Sequence, residues 1–222
     1  MAILLAGRGG AGVSQDGMEY WDAFRRDVFL LLAMGYERLV STQYSTCEEP
    51  DITGELVKAI RQITDDSASP QWAMPFAIHD DPPLNDSKRF GKWRKRIDIR
   101  FELTDKRPHP RYCFEAKRLS RKSHTGAYRG PKGMGEYLAG NYARDSHEAG
   151  MLAYVQTENQ SAWADRVSNV IGKRAAAVML TQDGQWTRVD MVTGLQYIYR
   201  TKHNRPALGR PITLFHIFLS FC

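Results

Sequence analysis

Two β-strands and the turn that joins them are predicted by residues 95–120, KRIDIRFELTDKRPHPRYCFEAKRLS. In the first run Ile97, Ile99 and Phe101 alternate with Asp98, which is the period-2 pattern of a strand with one buried face. We expect the three apolar side chains to share that buried face. The polar TDKRPHPR segment is long enough to connect an antiparallel hairpin.

The second run places acid and base together. Tyr112, Phe114 and Ala116 alternate with Glu115 and Lys117, so the two charged side chains are predicted to share the opposite face of the strand. With Asp98 on the neighbouring strand, this predicts two carboxylates and an ammonium group on one side of the sheet.

Helices and further strands surround this hairpin. Apolar residues at helical spacing predict a first helix that Gly35 ends, and a second helix with Asp51 or Thr53 as its cap. The predicted elements are helix 18–34, helix 48–64, a short strand within 71–80, the hairpin, a glycine-rich loop 124–135, helix 136–148, strand 150–157, helix 161–174, and β-rich segments 195–200 and 211–221.

The N-terminal segment, residues 1–17, is glycine-rich and is predicted to be a flexible tail on a single domain formed by residues 18–222. It contains a G-x-G-x-x-G match at Gly7–Gly12. Because Ser14–Gly17 would interrupt any helix opening there, this match does not indicate a dinucleotide site.

Composition excludes several classes of protein. The chain has 222 residues, 42% hydrophobic and 25% charged, which is typical of a soluble domain with a sizeable core. No apolar run is long enough to cross a bilayer, so we expect a cytoplasmic protein with no membrane partner. The three scattered cysteines form neither a disulfide framework nor a paired zinc motif.

Positive charge is concentrated around the hairpin. The net charge is +6, and a basic group precedes the first strand while another follows the second. Basic groups on both sides favour contact with nucleic-acid phosphates, although each could simply be a solvated face. The preceding cations are Lys88, Arg89, Lys92, Arg94, Lys95 and Arg96. The residues predicted to contact nucleic acid are Lys92, Arg94, Arg118, Arg129 and Lys132.

Three other side chains carry weaker expectations. Trp93, among lysines and arginines, could stack on a base, but we expect it to cover an edge of the core. His216, in an apolar run, is predicted to be a buried residue with its hydrogen bonds satisfied. His203 is predicted to belong to a late basic patch.

The order helix, strand, strand with Asp98, strand with Glu115-Ala116-Lys117, helix, strand resembles the PD-(D/E)XK nuclease superfamily. Its restriction-endonuclease-like core is an α/β fold, a mixed central sheet flanked by helices in the order αβββαβ. The resemblance covers about residues 50–157 and leaves a β-rich C-terminal extension. The motif's proline is replaced by Ile97. The EAKRL and GMLAYV segments also resemble nuclease-like proteins of bacterial antiviral defence.

The resemblance implies hydrolysis of DNA phosphodiester bonds with Mg²⁺, for which Mn²⁺ can substitute. Asp98, Glu115 and the backbone carbonyl of Ala116 would hold the metal, and Lys117 would orient the attacking water or stabilise the developing charge. Glu55 is the candidate for an additional helix carboxylate. Carboxylate oxygens are the ligands that hard cations prefer.

Several alternatives stay open. Lys117 could bridge Asp98 and Glu115 as a cross-strand ion pair on a solvated face, and Glu55 could be a first-turn acid favoured by the helix dipole. The protein could bind nucleic acid or a protein partner without catalysis, or act on RNA. Since cleavage of a duplex often uses two sites, a homodimer or a partner such as an ATPase or defence protein is expected.

Overall fold

The computed structural model describes residues 15–84 and 91–222. The helices are α1 (Gln15–Glu37), α2 (Glu49–Thr64), α3 (His124–Arg129), α4 (Met134–Leu138) and α5 (Gln160–Gly172). The strands are β1 (Phe76–Asp80), β2 (Ile99–Leu103), β3 (Arg111–Leu119), β4 (Glu148–Val155), β5 (Thr187–Arg188), β6 (Ile198–His203) and β7 (Ile212–Ser220).

The strands form one mixed sheet in the order β1-β2-β3-β4-β7-β6-β5. Strands β3, β4 and β7 are parallel to one another, and the flanking pairs are antiparallel. The α/β class and the mixed sheet flanked by helices are therefore confirmed. The segments predicted as a C-terminal extension instead complete this sheet, because β7 lies directly beside β4 with Met151 opposite His216.

Apolar residues fill both faces of the sheet. Helices α1 and α2 cover one face, where Phe29, Ile60 and Phe114 are fully buried. Helices α3, α4 and α5 cover the other face around Trp163 and Phe218. Burial of such side chains stabilises the fold by about 1.5–3 kcal/mol each. The strands with charged residues therefore lie between two apolar layers.

Both predicted N-terminal helices are present, but their ends differ from the predicted ones. Helix α1 continues past Gly35 to Glu37, so Gly35 does not end it. Packing requires glycine at position 35, since a Cβ on Gly35 would lie 2.3 Å from Ile60 Cγ1. Helix α2 begins one turn earlier than its predicted caps, with Glu48 at the N-cap position.

The region between β3 and β4 differs most from the prediction. The expected glycine-rich loop 124–135 contains α3 and the start of α4, and the expected helix 136–148 ends at Leu138. Glycines do not prevent these short helices, because burial of Tyr128 and Tyr137 against the sheet holds them in place.

The N-terminal predictions fall mostly outside the described residues. Of the expected tail 1–17, only residues 15–17 are described, and they form the first turn of α1. The Gly7–Gly12 match lies outside them. Among the helices of residues 15–84 and 91–222, none has both the length and the apolar composition needed to cross a membrane.

Candidate active site

Asp98 lies at a bend immediately before β2. The bend breaks the predicted alternation, because Ile97 packs with the α3–α5 side of the sheet while Ile99 packs with the α1–α2 side. The Asp98 carboxylate reaches across to β3, where its Oδ2 accepts a hydrogen bond of 2.6 Å from the Ala116 backbone N–H. This bond fixes the first predicted acid against the predicted Glu-Ala-Lys segment.

Glu115 and Lys117 meet on β3 as their spacing predicts. The Lys117 Nζ lies 2.8 Å from Glu115 Oε1 and donates to the Ala116 carbonyl at 2.5 Å. The Glu115 side chain is only 6% exposed, and its Oε2 is buried without a hydrogen-bond partner. The structure thus brings together Asp98, Glu115 and Lys117, and leaves one carboxylate oxygen unsatisfied.

The helix acid in this group is Glu49, not Glu55. Glu49 Oε1 lies 2.9 Å from Lys117 Nζ, and Oε2 accepts from the Arg118 backbone N–H at 3.0 Å. Glu55 lies on the exposed surface of α2 and pairs with Lys58 at 3.2 Å. Six residues separate the two acids, which is about 9 Å along the helix axis and about 120° around it. We call Glu49, Asp98, Glu115 and Lys117 the Lys117 cluster.

Hydrogen bonds from β4 hold the start of α2 beside the cluster. The Gln156 side-chain amide, at the end of β4, donates to the carbonyls of Tyr44 and Cys47 at 2.8 Å each. Within α2, the Thr53 hydroxyl bonds the buried Tyr154 hydroxyl at 2.9 Å. These contacts fix the segment that carries Glu49, and sequence spacing gave no sign of them because they join residues about 100 positions apart.

Burial and the repulsion of neighbouring carboxylates raise the pKa values of Asp98 and Glu115. Burial, and then the Asp98 charge, raises the pKa of Glu115 to about 8. Burial likewise raises the pKa of Asp98. For Lys117, burial alone would lower the pKa, but the Glu115, Glu49 and Asp98 carboxylates outweigh it and raise the pKa. One ammonium group does not offset three neighbouring carboxylates in this buried site, so Glu115 keeps its proton most of the time at neutral pH.

The Lys117 cluster contains the type of ligand atom, oxygen, that binds a divalent cation. Within the described ranges 15–84 and 91–222, no three acidic, histidine or cysteine side chains are already arranged as a metal-ligand group. In the Lys117 cluster, the Lys117 Nζ contacts Glu49, Glu115 and the Ala116 carbonyl. Two carboxylates and a carbonyl are oxygen ligands that Mg²⁺ accepts. The unpartnered Glu115 Oε2 is a further free ligand atom.

The residues predicted to contact nucleic acid lie in different environments. Arg118 pairs with Glu48 at 2.7 Å, which neutralises part of its charge. Lys132 is exposed in the turn before α4. The Arg129 Nε is buried without a partner, and Arg129 lines an open cleft of about 490 Å³ with Lys95 and other residues.

Lys92 and Arg94 flank Trp93 near the end of the β1–β2 connection. Trp93 is 74% exposed, so the expectation that it covers the core is wrong. The Lys92 Nζ lies 5.2 Å from the centre of its ring. Lys88 and Arg89 lie outside the described residues.

A second buried polar group, which we call the histidine chain, lies on the same face of the sheet. Tyr128 Oη lies 2.9 Å from His216 Nδ1, and His216 Nε2 lies 2.8 Å from Thr201 Oγ1. Thr201 Oγ1 lies 2.7 Å from His203 Nε2, and His203 Nδ1 lies 2.8 Å from the Val178 carbonyl. His216 is fully buried and hydrogen-bonded as predicted. His203 is also fully buried, so its assignment to a basic patch is wrong.

The carbonyl at the end of the chain fixes the direction of every bond. Since the Val178 carbonyl can only accept, His203 Nδ1 donates and its Nε2 accepts from Thr201. The Thr201 oxygen then accepts from His216 Nε2, and His216 Nδ1 accepts from Tyr128. Burial lowers the pKa of His203 to about 4 and that of His216 well below its usual value. Both rings are therefore neutral, and all their nitrogens have partners.

Comparison of the chain with protein-family models, with curated proteins and with solved structures gives no match. The function of the Lys117 cluster is therefore inferred from its own contacts.

Proposed function

We propose that the protein is a metal-dependent nuclease that hydrolyses DNA phosphodiester bonds, with a restriction-endonuclease-like core formed by α2, β1, β2, β3, the α3–α4 segment and β4. The observation that carries the proposal is the Lys117 cluster. Its carboxylates and its lysine come from β3, the bend before β2, and the first turn of α2, and one buried Glu115 oxygen has no partner. Such incomplete satisfaction of a buried charge is typical of functional sites.

Each residue has a role in this proposal. Asp98, Glu115, Glu49 and the Ala116 carbonyl would hold Mg²⁺ or Mn²⁺, which would supply stabilisation of negative charge on the phosphate. Lys117, held by Glu49 and Glu115, would orient a water molecule or donate to a phosphate oxygen. The Ala116 N–H keeps the Asp98 carboxylate turned toward the cluster.

The biological setting is part of the same proposal. The protein would work in the cytoplasm in bacterial defence, with DNA favoured over RNA. Since a duplex has two strands to cut, it would act as a homodimer or beside a partner such as an ATPase or another defence protein. Lys92, Arg94, Arg118, Arg129 and Lys132 would contact phosphates, which position a substrate without reading its sequence.

Cleavage of plasmid and oligonucleotide DNA with Mg²⁺ or Mn²⁺, with and without chelator, tests the proposal. We expect Asp98→Ala, Lys117→Ala and Glu49→Gln each to reduce the cleavage rate by about 10²–10³-fold, as removal of one charge-stabilising group does in other enzymes. Glu55→Gln is the matched control on the same helix and should leave the rate unchanged. Cleavage that survives both Asp98→Ala and Lys117→Ala would rule out this site.

One contact favours a second candidate, a nucleic-acid-binding protein without catalysis. The Lys117 ammonium already contacts two carboxylates and a carbonyl, as it would in a structural ion-pair group. A calorimetric titration with Mn²⁺ separates the two functions. Binding that Asp98→Ala and Glu115→Gln abolish supports the nuclease, and absence of binding supports the second candidate.

A further inference from the structure

The end of the β2–β3 hairpin carries an excess of positive charge that the Lys117 cluster does not use. We call this surface the hairpin patch. It consists of Arg100, Glu102, Asp105, Lys106, Arg107, His109 and Arg111, in which four lysine or arginine cations face two carboxylates.

A single carboxylate is shared by the cationic side chains of the patch. Glu102 Oε1 lies 2.9 Å from His109 Nδ1, while Oε2 lies 3.2 Å from Arg111 Nε and 3.6 Å from Arg100 Nε. His79 Nε2, on β1, lies 3.8 Å from the same Oε2. Two arginines and two histidines thus converge on one acid, which is itself only 11% exposed. Burial and the Arg100 charge lower the pKa of His79, so this ring adds no positive charge at neutral pH. Glu102 orders these side chains but cannot neutralise both guanidinium groups.

Other cations of the patch are not neutralised either. Lys106 and Arg107 are exposed in the turn and form no ion pair with any residue that the structure describes. The Arg100 Nε is buried and has no hydrogen-bond partner. The Arg111 side chain remains 55% exposed although it pairs with Glu102. The exposed donors of Lys106, Arg107 and Arg111 are therefore accessible to an anionic ligand.

The patch and the Lys117 cluster lie on the same face of the hairpin. Ile99, Phe101, Tyr112 and Phe114 fill the core on the α1–α2 side, so the alternate residues Arg100, Glu102 and Glu115 face the other way. Glu102 pairs with Arg111 across the two strands, four residues from Asp98 on one strand and four from Glu115 on the other. At about 3.4 Å per residue, this places Glu102 and Arg111 about 14 Å from the cluster, and Lys106 and Arg107 lie beyond them in the turn.

We propose that the hairpin patch binds the phosphate backbone of the nucleic-acid substrate on one side of the bond that is cut. The assignment rests on the proposed function for its link to cleavage. A B-form strand advances about 3.4 Å per nucleotide, so a separation of about 14 Å or more brings the patch to a phosphate about four or more nucleotides from the cluster. Lys106 and Arg107 make the contacts, and Glu102 holds Arg100 and Arg111 in position while weakening their attraction for the phosphate.

Salt dependence of binding tests the patch without requiring cleavage. The affinity of a fluorescently labelled DNA duplex is measured by anisotropy in EDTA at several salt concentrations. The double variant Lys106→Gln with Arg107→Gln should bind at least about tenfold more weakly and reduce the slope of log affinity against log salt by about 2. Lys173→Gln with Arg174→Gln removes two exposed cations after α5 and should change neither quantity.

Glu102→Gln should change the affinity for DNA in the opposite direction from the Lys106 and Arg107 variant. Loss of its negative charge should tighten DNA binding, whereas a purely structural Glu102 would weaken binding on substitution. Thermal unfolding of each variant shows whether it is folded at the assay temperature. The proposal is overturned if the Lys106 and Arg107 variant matches the Lys173 and Arg174 control, or if a folded Glu102→Gln variant binds more weakly.

Cleavage assays on the same proteins separate this proposal from the proposed function. If no metal supports cleavage but the salt slopes change as expected, the nuclease assignment fails and the binding surface stands. If the wild-type protein cleaves DNA and the Lys106 and Arg107 variant cleaves and binds like its control, the surface assignment fails and the nuclease assignment stands.

Discussion

The Lys117 cluster and the histidine chain are both buried polar groups on the same face of one sheet, and they differ in how completely they are satisfied. The histidine chain is neutral, and each of its ring nitrogens and hydroxyls has a partner. The Lys117 cluster is charged, and Glu115 Oε2 has no partner.

We interpret this difference as that between a structural polar group and the proposed functional one. A fully paired neutral network costs little to bury and fixes the packing of the strands that contribute to it. A buried acid without a full set of partners costs stability, so it persists where its charge has another use. The two regions should therefore respond in opposite ways to substitution and to pH.

The largest effect is expected from Glu115→Gln, which should stop cleavage and also stabilise the protein. Glu115 ionises with a pKa of 4.5 when unfolded and about 8 when folded, so wild-type stability falls as pH rises through this window by about 1.4 kcal/mol per unit. Because the neutral amide resembles the protonated acid and avoids this cost, we expect a gain of about 4 kcal/mol at pH 8. Urea unfolding in chelator measures it.

Comparison across pH provides the control for this variant. At pH 5, only about half a unit above the unfolded pKa of 4.5, little of the cost of keeping Glu115 protonated in the folded state has accumulated, so the gain should fall below about 1 kcal/mol. A Glu115→Gln variant that is less stable than wild type at pH 8 would show that the charge is well compensated, and the contrast between the two regions would disappear.

Thr201→Val should lower the stability of the protein, by less than Glu115→Gln raises it. Valine preserves the shape of the side chain but leaves the His203 Nε2 acceptor and the His216 Nε2–H donor without partners. We expect the free energy of unfolding to fall by about 2 kcal/mol, with no change in cleavage rate below the unfolding transition. Thr213→Val is the matched control, since its hydroxyl has no hydrogen-bond partner among the described residues. Equal losses in both variants would contradict the histidine chain's structural role.

The smallest expected effect is the slope of stability below pH 6.5. The unfolded protein protonates His203 and His216 near pH 6.5, but burial lowers the pKa of His203 to about 4 and that of His216 well below its usual value in the folded protein. On acidification, each histidine therefore lowers the free energy of unfolding by about 1.4 kcal/mol per pH unit. Glu115 raises the free energy of unfolding by the same amount per unit, which cancels the contribution of one histidine. Wild-type stability should thus fall by about 1.4 kcal/mol per unit below pH 6.5.

Chemical unfolding between pH 5 and pH 8 measures this slope. The Glu115→Gln variant sharpens the measurement, because without the opposing acid its loss per pH unit below 6.5 should be about twice that of wild type. A flat profile for that variant between pH 6.5 and pH 5 would mean that the histidines are not buried in neutral form.

Sequence periodicity predicted the hairpin and the placement of Asp98, Glu115 and Lys117 because adjacent antiparallel strands bring residues of one face together within a short stretch of chain. It failed at Ile97, where a bend moves the side chain to the opposite face. It also pointed to Glu55 and missed Glu49, because the position of each acid relative to Lys117 depends on how α2 packs against the sheet.

The amino-acid sequence alone determined the α/β class, the charged hairpin, and the helices whose apolar residues repeat at local spacing. Tertiary structure decided which helix acid meets Lys117, how β7 completes the sheet, and that four polar groups from α3, β6 and β7 form one hydrogen-bonded chain. The physical reason is the separation along the chain of the residues that make these contacts. Periodicity reports which side of its own element a residue occupies, whereas these contacts depend on the packing of elements far apart in the chain.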